Sequence, residues 1–214
     1  MKKILLIVGG KSTGLEIREV VDQYYNEVFD EVFNVIGVNE SSCKYSFIKD
    51  DKISLYFDSC NIELYYILSM SNHNTRNKFI NKFDNKKITP FNVIHPESMV
   101  SKSVSLGRGI YIPYGVIISS FAKINDHCML NYSVIIGHDA IVEKNSILNP
   151  GCKISGNVII GENVLVGSNT LVKQGLNIGK NVLIDAMCYI ERDLEPNKMY
   201  RNKTELKEFK NIFR

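Results

Sequence analysis

His138 and Asp139 stand side by side in the run Ile136-Gly137-His138-Asp139-Ala140-Ile141. An imidazole followed directly by a carboxylate suits general-base chemistry. The ring takes a proton near neutral pH and the acid fixes its orientation. Neighbouring side chains on an extended strand point to opposite faces, so Asp139 reaches the ring only if the pair sits at a corner. The plain alternative is an ordinary exposed histidine. A second cluster is the turn Gly9-Gly10-Lys11-Ser12-Thr13-Gly14, which feeds an amphipathic segment. A glycine turn at a helix N-terminus presents free N–H groups to an anion such as phosphate; a strand-to-helix turn without a ligand is the alternative. Glycines at 9, 10 and 14 do not make G-x-G-x-x-G, and Leu5 stands where a phosphate loop needs its first glycine, so an ATPase is not indicated. A zinc site would need three convergent imidazoles. Only His127 and His138 lie well inside the C-terminal repeat, so no metal is expected.

The element that must position His138 is a repeat. Every sixth residue from Ile94 to Ile190 is Ile, Val or Leu, without exception. Such a series arises by chance about once in 10⁹ trials at this aliphatic content. A helix or coiled coil would smear a stripe of period six around its surface, and a lone strand needs only period two. A hexad fits a short flat strand followed by a corner. Three hexads close a triangular coil of about eighteen residues, and stacked coils make a parallel β-helix filled by the aliphatic ladder. The position four after each aliphatic is also small or apolar and should face inward; it includes Cys128, Cys152 and Cys188. The position just after each aliphatic is mostly small or polar, as in Gly107, Asn125, Asn131, Gly137 and Gly161, which reads as a corner needing positive φ. His138, two after an aliphatic, should project from the prism. Gly156, one coil further on, should lie beside its ring.

The first ninety residues read differently. Lys3–Val8, Glu31–Val38 and Glu63–Ser69 are predicted strands, and the segments opening at Leu15 and running from Asn74 to Phe83 are predicted helices. Alternating strands and helices give a small parallel, Rossmann-like sheet. The apolar run after Met1-Lys2-Lys3 is too short for a signal peptide and reads as a buried strand. The chain of 214 residues has net charge +3, which gives no reason to expect a nucleic-acid partner, and no apolar run long enough for a membrane span. Five cysteines without C-x-x-C spacing read as small core residues in a reducing cytoplasm. Expected domains are therefore 1–91, 92–195 and a basic tail, 196–214, whose Leu206, Phe209 and Ile212 fall at helical spacing. The tail should cap the open end of the coil stack.

Taken together, the hexads, the glycine turn, Asn72 to Arg76, Ile94-His95-Pro96 and the segment Asn131 to Asp139 resemble the hexapeptide-repeat acetyltransferases of sialic acids and nucleotide-linked amino sugars. The resemblance implies a left-handed β-helix behind a Rossmann-like domain, acetyl-CoA as acyl donor, and a homotrimer with active sites between subunits. It implies His138 as base, with Asp139 and Asn131 as its neighbours. Gly156 would offer its N–H to the thioester carbonyl, and Ser168 and Ala186 would line the pantetheine groove. Gly10, Ser12, Thr13, Asn39, Glu40, Asn72 and Arg76 fall at acceptor-side positions. The implied activity is N-acetylation of a nucleotide-linked amino sugar in bacterial surface-glycan synthesis. O-acetylation of sialic acid or another sugar hydroxyl is the alternative, and a metal-dependent lyase or a non-catalytic scaffold a remote one. The chain departs from the family at Thr13, where relatives carry histidine, and at Asn39, Glu40 and Ser71, all on the acceptor side. It departs again at Asp185-Ala186-Met187 and at 196–202, the far end of the coil.

Overall fold

A computed structural model describes residues 1–37, 42–56, 61–84, 86 and 88–202. Asn39, Glu40, Leu206, Phe209 and Ile212 lie outside them. The N-terminal unit is a five-stranded parallel sheet in the order β3-β2-β1-β4-β5. Its strands are β1 (Lys2–Val8), β2 (Glu31–Ile36), β3 (Phe47–Lys49), β4 (Ile62–Leu68) and β5 (Thr89–Pro90). Helix α1 (Thr13–Tyr24) joins β1 to β2, and α2 (His73–Asp84) follows β4. Ile4 to Val8 are buried, as a central parallel strand covered on both faces requires. The expected strands and helices form within about two residues of the predicted bounds. Strand β3, the 3-10 helix Asp50–Tyr56 after it and the two-residue β5 carry too little periodicity to be read beforehand.

The rest is a three-sided parallel coil. Two-residue strands recur every six residues and pair, one coil later, with the strand eighteen residues on. The first face has seven strands, among them Met129–Leu130 and Ile147–Leu148. The second has six, including Ile135–Ile136 and Lys153–Ile154, and the third five, including Ile141–Val142 and Ile159–Ile160. Inside runs one continuous core from Ile110 to Leu194, made of the hexad aliphatics and the residues four after them. The arrangement fits the expected β-helix. Cys128, Cys152 and Cys188 are buried free thiols within it, and burial pushes the first two up to about 12 and about 11.

The corners work differently from the expectation. Positive φ falls three residues after most of the aliphatics, as at Ser133, Asp139, Asn145, Asn157, Asn163, Asn169 and Asn181, and asparagine and aspartate tolerate the left-handed region. The small residue directly after the aliphatic serves close approach between coils instead. A Cβ on Gly137 would meet the backbone N of Gly156 at 2.4 Å, and one on Gly167 the N of Ala186 at the same distance. The corner between the third and first faces carries an amide ladder: Asn145 Nδ2 donates to Asn163 Oδ1 (2.8 Å), Asn163 to Asn181 (3.2 Å) and Asn181 to Asn197 (2.7 Å). The coil also runs past residue 195. Met199–Tyr200 pairs with Leu183–Ile184 as a seventh strand of the first face, so the described start of the tail is strand and not helix.

The sheet domain sits on the first face of the coil. Leu5, Ile7, Ile17 and Val21 share one core with Tyr111, Met129 and Ile147. Tyr25 adds a polar tie: its hydroxyl donates to Ile94 O (2.9 Å) and accepts from Ile94 N–H (3.0 Å). This docking places the glycine turn beside the corner between the first and second faces.

The prism interior is the main source of stability. Ile136→Ala, at a fully buried rung, should cost about 2–5 kcal/mol, cavity included, read as a shift of the urea midpoint. A change under about 1 kcal/mol would mean that this rung is not close-packed.

Candidate active site

His138 and Asp139 turn the corner between the second and third faces. Asp139 adopts φ 57°, and this left-handed step swings its carboxylate to the same side as the ring. His138 Nδ1 then lies 2.8 Å from Asp139 Oδ2. The acid accepts the Nδ1 proton, which leaves the Nε2 lone pair as the free base. Both side chains are about half exposed, so the ring is open to an incoming acceptor. Gly156 lies directly beneath: a Cβ there would meet His138 Nε2 at 2.6 Å. Any larger residue there must push the ring aside. The Gly156 carbonyl accepts from Gly175 N–H (3.0 Å), while its own N–H meets no acceptor among the described residues. One corner therefore brings together a base with an open Nε2, an acid that orients it, and a backbone donor.

The neighbouring corner, between the first and second faces, carries the second feature. A pocket of about 540 Å³ lies between the glycine turn and this corner. Gly10, Lys11, Ser12, Thr13, Glu16 and Ser71 line one wall; Asn131, Tyr132, Asn149 and Pro150 line the other. The turn is held from below. Asn34, fully buried on β2, donates from Nδ2 to Gly9 O (2.9 Å) and Gly14 O (3.1 Å), and Ser69 Oγ donates to Val8 O (2.7 Å). Close approach explains all three glycines: an added Cβ would meet Ser69 Oγ at Gly9, Ile36 Cγ2 at Gly10 and the Gly9 carbonyl at Gly14. Ser12 itself holds φ 44°, a strained conformation for a residue at a helix start.

The expected site residues divide by corner. His138, Asp139 and Gly156 come together. Gly10, Ser12 and Thr13 do line the pocket. Asn131 does not bond the imidazole; it stands at the other corner, its Nδ2 toward Leu148 O (3.2 Å) and Asn149 Oδ1 (3.3 Å). Ser168 and the exposed Ala186 stand on that same corner two and three coils further on, not beside Gly156. Asn72 is outside the pocket lining: its Oδ1 accepts from Thr75 N–H (3.0 Å) and so caps the start of α2.

Arg76 overturns its expected role. Its side chain is fully buried and joins the two units, donating from Nε to Asn145 Oδ1 (2.6 Å), from Nη1 to Met70 O (2.9 Å) and from Nη2 to His127 O. Each of its three nitrogens donates and none of the side chain is exposed, so no acceptor reaches it from outside. Burial lowers its pKa to about 10, and burial followed by the Arg76 charge lowers that of His127, which packs flat against Tyr66. An arginine in the first turn of a helix after a strand reads as a ligand contact in sequence, because its burial depends on a partner sixty-nine positions away. Glu16, Tyr132 and Asn149 line the pocket without having been singled out; a glutamate on a helix face carries no sequence signal that separates it from a solvated one.

The repeat description "Bacterial transferase hexapeptide (six repeats)" matches residues 139–174, and "Hexapeptide repeat of succinyl-transferase" matches 157–192. Both matches fall inside the coil. No curated protein matches the chain in sequence. Solved structures similar to it include acetyltransferases. A mutant of perosamine N-acetyltransferase from Caulobacter crescentus, in complex with CoA and GDP-perosamine, is 22% identical, covering 96% of this chain and 97% of that one at a TM-score of 0.85. The acetyltransferase domain of PglB from Neisseria gonorrhoeae is 18% identical, covering 93% and 96%, at 0.82. WeeI from Acinetobacter baumannii is 16% identical, covering 92% and 96%, at 0.84. The likeness is that of the whole two-part fold, sheet domain and coil together. Among the described residues no helix is long and apolar enough to cross a membrane, and no group of three or more His, Cys, Asp or Glu side chains could hold a metal ion.

Replacing Arg76 with leucine would strip donors from Asn145 and two carbonyls at once. The loss should exceed about 3 kcal/mol, read as a fall in melting temperature. A variant as stable as the parent would return Arg76 to the list of ligand contacts.

Proposed function

We propose that the chain is an acetyl-CoA-dependent acetyltransferase that N-acetylates a nucleotide-linked amino sugar, with His138 as general base. One observation carries this reading most directly: the imidazole is oriented through Nδ1 by Asp139 at 2.8 Å and packs on Gly156, where a Cβ would displace the ring. Support for the substrate class comes from the neighbours, one of which is a perosamine N-acetyltransferase with CoA and GDP-perosamine.

The chemistry follows from the atoms present. Nε2 of His138 takes a proton from the sugar amine as its nitrogen attacks the thioester carbonyl. The Gly156 N–H receives the oxygen on which charge develops, a contribution worth several kcal/mol where such donors have been removed. The C–S bond then breaks, and the imidazolium returns its proton to the leaving thiolate. Asp139 stays ionised throughout and stabilises the imidazolium, the usual part of an acid paired to a catalytic histidine. A hydroxyl acceptor would follow the same route, which makes O-acetylation the alternative.

The pocket that would hold the acceptor opens at one corner and His138 stands at the next. His138 stands six positions after Tyr132, across the second face, a span of up to about 20 Å. That face also exposes apolar side chains, Met99 at 68% and Tyr189 at 58%, with Phe121 at 64% beside it. An apolar stripe on a soluble coil favours coverage by another copy. We therefore propose a homotrimer in which the pocket of one subunit faces His138 of the next. In that assembly Asn131, Ser168 and Ala186 approach a neighbour's base and groove rather than their own.

Thiol release from acetyl-CoA in the presence of UDP- or GDP-linked amino sugars tests the reading. His138→Ala should leave folding intact and lower turnover by about 10²–10⁴-fold; near-normal turnover would remove His138 from the mechanism. Gly156→Ala is a sharper probe. Its methyl must displace the ring, so turnover should fall by at least about tenfold while the melting temperature barely moves, because the displaced ring is a half-exposed surface group. An unaffected rate would show that the ring does not work from its observed position.

A further inference from the structure

The pocket at the glycine turn contains an acid that acyl transfer does not use. Glu16 lies on the first turn of α1 and its side chain forms part of the pocket wall. It is half-buried, and among the described residues no lysine or arginine pairs with it. Burial first, and then the Glu19 carboxylate, raise its pKa above the usual carboxylate range, whereas the Tyr132 hydroxyl opposite holds the charged form. Tyr132 faces it from the coil, and behind Tyr132 stands Tyr111, whose hydroxyl is buried. An acid in a first turn is favoured by the helix N-terminus, which accounts for its being tolerated there. It does not account for its side chain facing the cavity.

A half-buried carboxylate lacking a cation is costly unless something supplies hydrogen-bond donors to it. An occupant bringing an anionic group to that wall would meet repulsion from Glu16 and from Glu19 behind it. One bringing an ammonium or hydroxyl group would be held. The pocket is therefore two-sided. The N–H groups at the turn suit phosphate, and the wall about one helical turn further on suits a donor-bearing ring. We propose that Glu16, braced by Tyr132, is a specificity-determining residue: its carboxylate accepts a hydrogen bond from an amino or hydroxyl group of the acceptor sugar and turns away acceptors that place a carboxylate there. This rests on the reading of the pocket as the acceptor site. It selects amino sugars linked to a nucleotide over free sialic acid, whose ring carries a carboxylate.

The test compares wild type with Glu16→Gln and Glu16→Arg in the full chain, by thiol release with acetyl-CoA. The acceptors are UDP- and GDP-linked amino sugars and free sialic acid. Loss of a charge-assisted hydrogen bond should raise KM for the amino sugar by about tenfold or more in Glu16→Gln. The KM for acetyl-CoA should stay put, kcat should fall far less, and the melting temperature should hold. Glu16→Arg should bind sialic acid more tightly than wild type does, measured by calorimetry. An active wild type whose acceptor KM is unmoved by Glu16→Gln overturns the inference and leaves the acetyltransferase reading standing. So does a wild type that takes sialic acid as readily as the amino sugar. A parallel loss with every acceptor together with a lowered melting temperature makes Glu16 a structural residue and overturns it as well. Wild type that releases no thiol with any acceptor ends the reading and the inference together.

Discussion

The constraint on which this molecule depends is the eighteen-residue register of the coil. Parallel pairing places each residue over the one eighteen positions earlier, and every other feature follows from that. Stacked aliphatics fill the prism. Stacked asparagines tie one corner together from Asn145 to Asn181, and Asn197, sixteen residues on, extends the ladder. Stacking Gly156 on His138 turns a surface imidazole into one with a fixed pose and a backbone N–H beside it. The same register that buries Ile136 over Ile154 thus builds the His138–Asp139 corner two residues later. Small shifts in pairing would lose the core and the site at the same time, so stability and chemistry are enforced by one interaction.

The second level of organisation is docking. The sheet domain covers the first face of the coil, with Leu5, Ile7 and Ile17 against Tyr111, Met129 and Ile147, and Arg76 rivets the two units through Asn145 and the His127 carbonyl. This rigid seating gives the glycine turn a second wall, made of Asn131, Tyr132 and Asn149. A cleft between two firmly packed units is where small-molecule sites commonly form. The pocket and the base nevertheless lie on different edges of the prism, and the apolar second face lies between them.

Much of this was legible in the sequence, for a physical reason. A hexad is a strong constraint because each position answers to neighbours a fixed distance away in the chain, so Ile94 to Ile190 already announce the coil. His138 beside Asp139 announces a corner, since only a turn brings adjacent side chains to one side. The details of the corner were misplaced: glycine at 137 or 167 seemed to serve backbone freedom, whereas it serves contact with the next coil, and positive φ is carried by Asp139 and its equivalents. Roles set by distant partners were not legible. Arg76 looked like a ligand contact because its partners are at 127 and 145, and Glu16 looked like a solvated helix residue because Tyr132 reaches it only through the fold. Asn131 is expected beside His138, and Ser168 and Ala186 along the pantetheine groove, from the resemblance alone, because the sequence does not say which edge of the prism each one occupies.

The central claim is that one copy's pocket works with another copy's imidazole, and subunit complementation tests it most directly. His138→Ala removes the base, and Thr13→Trp fills the pocket; each variant alone should be inactive. Mixed by unfolding and refolding together, they should regain acetyl transfer, because some interfaces then pair an intact pocket with an intact base. Mixed oligomers that form and stay inactive would show that each chain must complete its own site, and would contradict the account.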